Sequence, residues 1–232
     1  MQTIEELIGE IKADRILDVA TGRGDFLHFL QENLAQFGTA VGIDVKRFEV
    51  WSTNGFDPDR IRFLEMNAMD LKFEKDSFDL VSISNSLHHM ETPAQVLSEM
   101  KRVLKPNGIF LFYEMYTDGQ TTAQQTHTRL HQWWGKIDTA AGTYHHSPYK
   151  KRELINFLKE TGITTWNFLD EADLSGDPFN PELIDDLNKI IDDYQKKTKD
   201  TALINEGELL RDRVKSIGFH SASQLFVIGR KV

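Results

Sequence analysis

The sequence predicts an α/β protein built on a doubly wound, mostly parallel sheet. Strand-like and helix-like stretches alternate five times up to Tyr113, the pattern of a parallel sheet with helices on both faces. The first strand runs into a tight turn of small residues and then a helix, Arg15-Ile16-Leu17-Asp18-Val19-Ala20-Thr21-Gly22-Arg23-Gly24-Asp25-Phe26. The length of 232 residues suits one such domain with insertions better than two independent domains.

The elements follow in order. Residues 3–12 carry Ile4, Leu7, Ile8 and Ile11, the stripe of a short amphipathic helix. It leads straight into the first strand at 15–20 and leaves almost no N-terminal extension to cover a ligand. A helix over 25–35 turns Phe26, Leu27, Phe29, Leu30 and Leu34 to the sheet. The second strand ends at Asp44, a short helix is expected at 46–54, and strands follow at 61–66 and 78–84. Thr92 and Pro93 mark a helix start. That helix stops near Leu104, before the turn signal Lys105-Pro106-Asn107-Gly108, and a fifth strand spans 109–113. Residues 121–140 read as a helix and 143–149 as a loop. A helix at 150–161, stopped by Gly162, then precedes a strand at 163–169. Two helices at 181–199 and 203–217 precede a last strand at 224–229. Ile184, Leu187, Ile190 and Ile191 form an apolar stripe facing either core or a second copy, so monomer and homodimer both remain open.

Composition narrows the function. The net charge of −9 offers no electrostatic footprint for phosphate backbones, so a nucleic-acid partner is not expected. There are no cysteines, which removes disulfides, thiolate metal sites and a Cys nucleophile. The N-terminus lacks a signal-peptide pattern, and no stretch approaches the roughly 18 apolar residues of a membrane span. A cytoplasmic protein without membrane contact is the expectation.

The turn at 20–24 has the mechanics of a nucleotide site: small residues allow close approach, and the helix N-terminus aims its N–H groups at the same spot. Asp44 ends the second strand, where a carboxylate can accept two hydrogen bonds from a ribose diol. An NAD-type turn would add a third glycine where Phe26-Leu27-His28 stands. A phosphate loop would need a Lys, and residues 16–43 contain none. A ligand with a ribose and no pyrophosphate fits better.

Four blocks make the chain resemble the class I S-adenosylmethionine-dependent methyltransferases, in their small-molecule branch. They are residues 17–24, Gly42-Ile43-Asp44, Asn67–Phe73 through Ser77–Val81, and Ser84–His89 through Met100–Gly108. The resemblance covers about 15–115. It implies a seven-stranded Rossmann-like sheet whose last strand is antiparallel. The chain is then a single domain over 1–232, with helical insertions at 117–149 after strand 5 and 174–218 before strand 7. The implied cofactor is S-adenosylmethionine, leaving as S-adenosylhomocysteine. Carried over by position, Ala20, Thr21, Gly22 and Gly24 lie against the cofactor, and Asp18 anchors the loop or the cofactor's amino group. Asp44 holds the ribose and Val45 packs on the adenine. Asn67 and Ala68 face the adenine edge, and Ser84 and Asn85 lie near the methionine part. Ala20 replaces the family's first glycine, and Asn67 stands where Asp is common. A non-catalytic module that binds the same cofactor, and a protein or RNA methyltransferase, are the competing readings. No Asn-Pro-Pro-Tyr-type tetrad serves a flipped base.

The acceptor side is expected in the first insertion, acting as a lid. On a helix at 100° per residue, His127, His131, Trp134 and Asp138 fall at about 0°, 40°, −20° and 20°, one narrow stripe. With Tyr144, His145, His146 and His88 it can line an acceptor pocket, with His127 or His131 taking a proton. A packing role competes with that reading. So does a divalent metal on His127, His131 and Asp138 or His145. No His-Glu-x-x-His pattern is present, since residue 128 is Thr, and no metal is expected.

Overall fold

The computed structural model describes residues 2–52 and 55–232. Thr3 starts the first helix, α1 (Ile4–Ile8), with a capping box: its hydroxyl accepts from Glu6 N–H and its own N–H donates to the Glu6 carboxylate. The helix is shorter than its stripe suggests, and Ile11 already belongs to the turn into β1 (Lys12–Val19). Next come α2 (Asp25–Asn33), β2 (Gln36–Asp44), β3 (Ile61–Glu65) and β4 (Phe78–Ser84). They are followed by α3 (Pro93–Val103), β5 (Leu104–Met115), α4 (Gln124–Ala140), α5 (Lys151–Glu160) and β6 (Thr165–Glu171). The chain ends with α6 (Pro181–Lys196), α7 (Thr201–Ile217) and β7 (Gln224–Arg230).

The seven strands form one sheet in the order β3-β2-β1-β4-β5-β7-β6. All pairs are parallel except those of β7, which is antiparallel to both β5 and β6. The expected sheet is therefore present, with its helical insertions after β5 and before β7. Chain direction of build-up reverses between β1 and β4, so the carboxyl ends of these strands open a crevice where ligands bind in such sheets.

Three local expectations shift. The turn at 105–108 is a bulge inside a longer β5: Phe78 pairs with Leu104 and Leu80 with Ile109, and Asn107 adopts the left-handed φ of 62°. Of the helix expected at 46–54, Glu49–Ser52 form one 3₁₀ turn, and residues 53 and 54 lie outside the described residues. Strand β6 starts late because Thr161 Oγ1 accepts from Ile163 N–H, which holds that residue in the turn after Gly162.

Two apolar layers sandwich the sheet. One joins Val96, Leu97, Met100, Leu154 and Leu158 of α3 and α5 to the sheet face of Leu17, Val81 and Phe110. The other joins Ile4, Ile8, Leu27 and Leu30 of α1 and α2 to Ile16, Leu80 and Leu111. A third core lies apart, where α4, α6 and α7 bury Leu130, Trp133, Ile137, Leu187, Ile191 and Val214. Trp133 is its centre: it is fully buried, and its indole N–H donates to Leu203 C=O at 2.8 Å. Truncation there removes both packing and a hydrogen bond. Trp133→Ala is expected to cost about 3–5 kcal/mol; chemical denaturation followed by near-ultraviolet circular dichroism checks it.

Candidate cofactor and acceptor site

The turn after β1 holds three residues in left-handed conformations: Ala20 at φ 53°, Gly22 at 55° and Gly24 at 95°. At Gly24 a side chain would also meet the rings of Phe56 and Phe63, at 2.9 and 3.0 Å from a Cβ. At Gly22 the space a Cβ would occupy is open, so the backbone faces free volume. The turn is held from the neighbouring strand. Asp44 Oδ2 accepts from Gly22 N–H at 3.1 Å, and its Oδ1 accepts from Lys46 N–H at 3.1 Å. Trp51 Nε1 donates to Gly22 C=O at 2.8 Å. Trp51, in turn, stacks on Phe63 of β3.

Asp44 and Ala20 border a cavity of about 390 Å³ together with Val45, Met66, Asn67 and Ala68. Drawn from three separate stretches of sequence, these residues meet because β1, β2 and the segment after β3 end side by side at the crevice. The opposite rim carries Ser86, His89, Thr143 and Tyr144. The 66–73 wall has no helix of its own. It is tied to α3: the Glu99 carboxylate accepts from Leu71 N–H, and the Arg102 guanidinium donates to Leu71 and Phe73 C=O while pairing with Glu99.

Asp18 lies beneath the turn, fully buried, and accepts from Ser82 Oγ at 2.7 Å. Ser84 borders a different cavity of about 260 Å³, lined also by Ile4, Glu5, Phe26 and Tyr113. Ile4 and Glu5 of the short first helix thus wall this second cavity and not the one bordered by Asp44. Asn85, at φ 45°, donates its N–H to Tyr113 C=O and is exposed. Thr21, Gly22 and Gly24 shape the turn, whereas Ala20, Asp44, Val45, Asn67 and Ala68 form the cavity wall. Ser86 was not legible in sequence as a site residue; its hydroxyl reaches Ala20 C=O at 3.2 Å and Ser84 C=O at 2.7 Å.

The histidines gather on the acceptor side. His131 and Trp134 of α4 pack ring to ring, and His131 lies against His88 and His145. Asp138 Oδ2 contacts His145 Nδ1 at 2.8 Å and also accepts from Tyr194 OH at 3.3 Å. His88 is buried, and its Nδ1 lies 3.1 Å from Glu114 Oε1, a buried carboxylate at the end of β5. Glu114 also accepts from the N–H groups of Leu87 and Met115. It is a further site residue, hidden in sequence because nothing in an apolar strand marks which acid turns inward. His89 joins the cluster from the cavity rim. His127 stays beside His131 and Trp134, but its Nδ1 is taken: it accepts from Ala222 N–H at 2.9 Å, and its ring also lies against Phe219. His146 turns away and stacks on Tyr149. Desolvation, then the neighbouring imidazoles, push His131 down to about 2 and His127 to about 4. A general base works best with a pKa near the operating pH, so these shifts run against the proton-accepting role expected for both.

Burial pushes Asp18 up to about 6 from 3.8, helped by the nearby Asp44 charge and opposed by the Thr21 and Ser82 hydroxyls. The folded state therefore holds this proton more tightly than the unfolded state. The group's contribution to stability is complete below pH 3.8 and is lost as pH rises through about 6. Asn keeps an acceptor for Ser82 and has no charge to bury. Asp18→Asn is expected to gain up to about 3 kcal/mol over the parent above pH 6, at about 1.4 kcal/mol per pKa unit, and nothing below pH 4. Urea titrations across pH 4–8 measure that difference.

Comparison with known proteins agrees with this arrangement. Residues 17–112 match the family described as a methyltransferase domain. A demethylmenaquinone methyltransferase of Lactococcus lactis is 36% identical over 105 residues, covering 44% of this chain and 42% of that protein. One of Clavibacter sepedonicus is 34% identical over 110 residues, covering 47% and 44%. The matches thus span less than half the length of these relatives. Among solved structures, YcgJ of Bacillus subtilis aligns over 98% of this chain and 96% of its own, with a TM-score of 0.62 at 15% identity. Phosphoethanolamine N-methyltransferase 2 of Haemonchus contortus, solved with phosphomonomethylethanolamine and S-adenosylhomocysteine, aligns over 98% and 51%, with a TM-score of 0.59 at 16% identity. The fold is that of the class I S-adenosylmethionine-dependent methyltransferases.

Proposed function

We propose that this class I methyltransferase chain binds S-adenosylmethionine in the cavity bordered by Asp44 and transfers its methyl group to a small-molecule acceptor. The observation that carries the reading is the convergence of Ala20, Asp44, Val45, Asn67 and Ala68 on one cavity at the reversal point of the sheet. Its volume of about 390 Å³ is within the range of small-ligand sites. The residues fit such a cofactor. The open space at Gly22 lets a ligand lie on the peptide. The Asp44 carboxylate offers roughly four acceptor positions, of which Gly22 and Lys46 take two, so two remain for a diol.

Bound there, the cofactor supplies a methyl group already activated on a sulfonium. The chain's own work is alignment and exclusion of water. Asp44 and the Gly22 backbone orient the ribose end. Met66, Met69 and Phe48 give the pocket an apolar wall. Tyr144 and Thr143, from the loop after α4, close the rim on the acceptor side. The helical insertions at 117–149 and 174–218 serve as the acceptor-side cover, with Trp134 and the histidine cluster behind that rim. The family match ends at residue 112, before α4, so the acceptor named for the relatives is not carried over with it. The acidic chain and the small cavity favour a small molecule over nucleic acid.

Calorimetry with S-adenosylhomocysteine tests the cofactor. The parent chain is expected to bind one equivalent, and Asp44→Ala to weaken binding about 10- to 100-fold, the worth of a hydrogen bond to a charged group. Absence of binding by the parent chain would sink the proposal. Transfer itself is read with methyl-labelled S-adenosylmethionine on a panel of phenols, amines and quinols; label reaching no acceptor, with binding intact, would leave a binding module instead of an enzyme.

A further inference from the structure

We propose that His88, His89 and His145 form a binding site for a divalent transition metal of the zinc class, on the rim of the cofactor cavity. Each of the three offers one ring nitrogen, and these atoms lie within 4.8 Å of one another. They come from separate stretches. His88 and His89 stand in a 3₁₀ turn after β4, and His145 lies in the loop after α4. A backbone bond locks the two pieces together: His146 N–H donates to His88 C=O at 2.8 Å.

The hydrogen bonds around the cluster decide which nitrogens are free. His88 Nδ1 faces the Glu114 carboxylate, which can only accept, so that nitrogen carries the hydrogen. The lone pair of His88 then resides on Nε2. That atom is fully buried and has no hydrogen-bond partner among the described residues. An orphaned buried nitrogen is costly, and a ligand removes the cost. The same logic holds for His145. Its Nδ1 donates to Asp138, which leaves Nε2 as the lone-pair atom. That lone pair accepts from another imidazole, His131 Nδ1, at 3.3 Å, a hydrogen bond that a metal ion would displace, so the orphaned Nε2 of His88 is the atom that carries the argument. Two histidines, each backed by its own carboxylate and each turning Nε2 inward, is the arrangement that orients imidazoles on a metal.

The donor set selects the ion class. Three imidazoles with no thiolate suit zinc, copper, nickel or cobalt, and not magnesium or calcium. Two zinc ligands lie about 3.3 Å apart when Zn–N is about 2.05 Å. The triad is wider than that, and His89, which is exposed, can swing to close it. Of the three, His89 also borders the cavity, which places the cluster next to it. Resting on the proposed methyl transfer, an acceptor heteroatom held there would be polarised beside the cofactor. Metal binding itself does not depend on that reading and is measured without cofactor.

The experiment uses the full chain, freed of metal by chelator and titrated with Zn²⁺ by calorimetry and Co²⁺ by visible absorption. One equivalent is expected, with cobalt bands of a four-coordinate site. His145→Ala and His89→Ala should each weaken Zn²⁺ binding by more than the about 10- to 100-fold expected for the outer-partner change Asp138→Asn. His146→Ala should leave it unchanged. His89 is exposed, so its replacement gives a readout even if His145→Ala unfolds. Substoichiometric uptake by the parent chain overturns the proposal. So does uptake that His89→Ala leaves unchanged, which would make the cluster a packing feature.

Discussion

Everything at the cofactor end depends on the hydrogen bond from Gly22 N–H to the Asp44 carboxylate. The turn after β1 must run Ala20, Gly22 and Gly24 through left-handed conformations within five residues. Such a backbone is unfavourable for Ala and needs external support. Asp44 gives it from the end of β2, and Trp51 takes the Gly22 carbonyl. The turn and the strand end thus become one unit, and the acid proposed to hold the ribose is also the brace of the loop. Below it lies Asp18, whose burial raises its pKa. The acid under the turn is thereby held in a site that favours its neutral form, which lowers the electrostatic cost of a second carboxylate, Asp44, nearby.

A second brace holds the opposite wall. Residues 66–73 have no regular structure, yet the Glu99–Arg102 pair on α3 satisfies Leu71 N–H and the carbonyls of Leu71 and Phe73. The Asn67–Phe73 stretch and the Glu99–Arg102 pair are therefore two parts of one structure. One is the wall and the other is its clamp. The surface pair itself is partly exposed and contributes little by charge alone; its value lies in fixing a loop that would otherwise leave Asn67 and Ala68 free to drift.

The histidine cluster is an assembly of layers. Glu114 belongs to β5, Asp138 and His131 to α4, and Tyr194 to α6. Its geometry exists only while the third core, around Trp133, keeps α4 against α6 and α7. Stability of that helical unit and order on the acceptor side are therefore coupled. The braces of the turn and of the 66–73 wall lie outside that helical unit, in β2, the 3₁₀ turn Glu49–Ser52 and α3.

The sheet and the cofactor end were legible because their signals are local. Strand periodicity, small turn residues, Asp44 at a strand end and the order of four blocks all lie within short windows, and they determined the α/β fold, the turn and most of the cavity wall. The helical stripe of His127, His131, Trp134 and Asp138 was legible too, but only as a stripe. Which nitrogen meets which partner is a long-range matter. Ala222 claims His127 from 95 residues away, Glu114 claims His88 from β5, and the neighbouring imidazoles gather only when the α4 loop docks on the turn after β4. Burial also escapes a one-dimensional reading. Asp18 and Glu114 look like ordinary acids in sequence, and only the packed structure removes their water. Local pattern determined the fold and most of the cavity wall. Desolvation and contacts across the fold decided which of its polar groups are braces, which are packing, and which are left with a free lone pair.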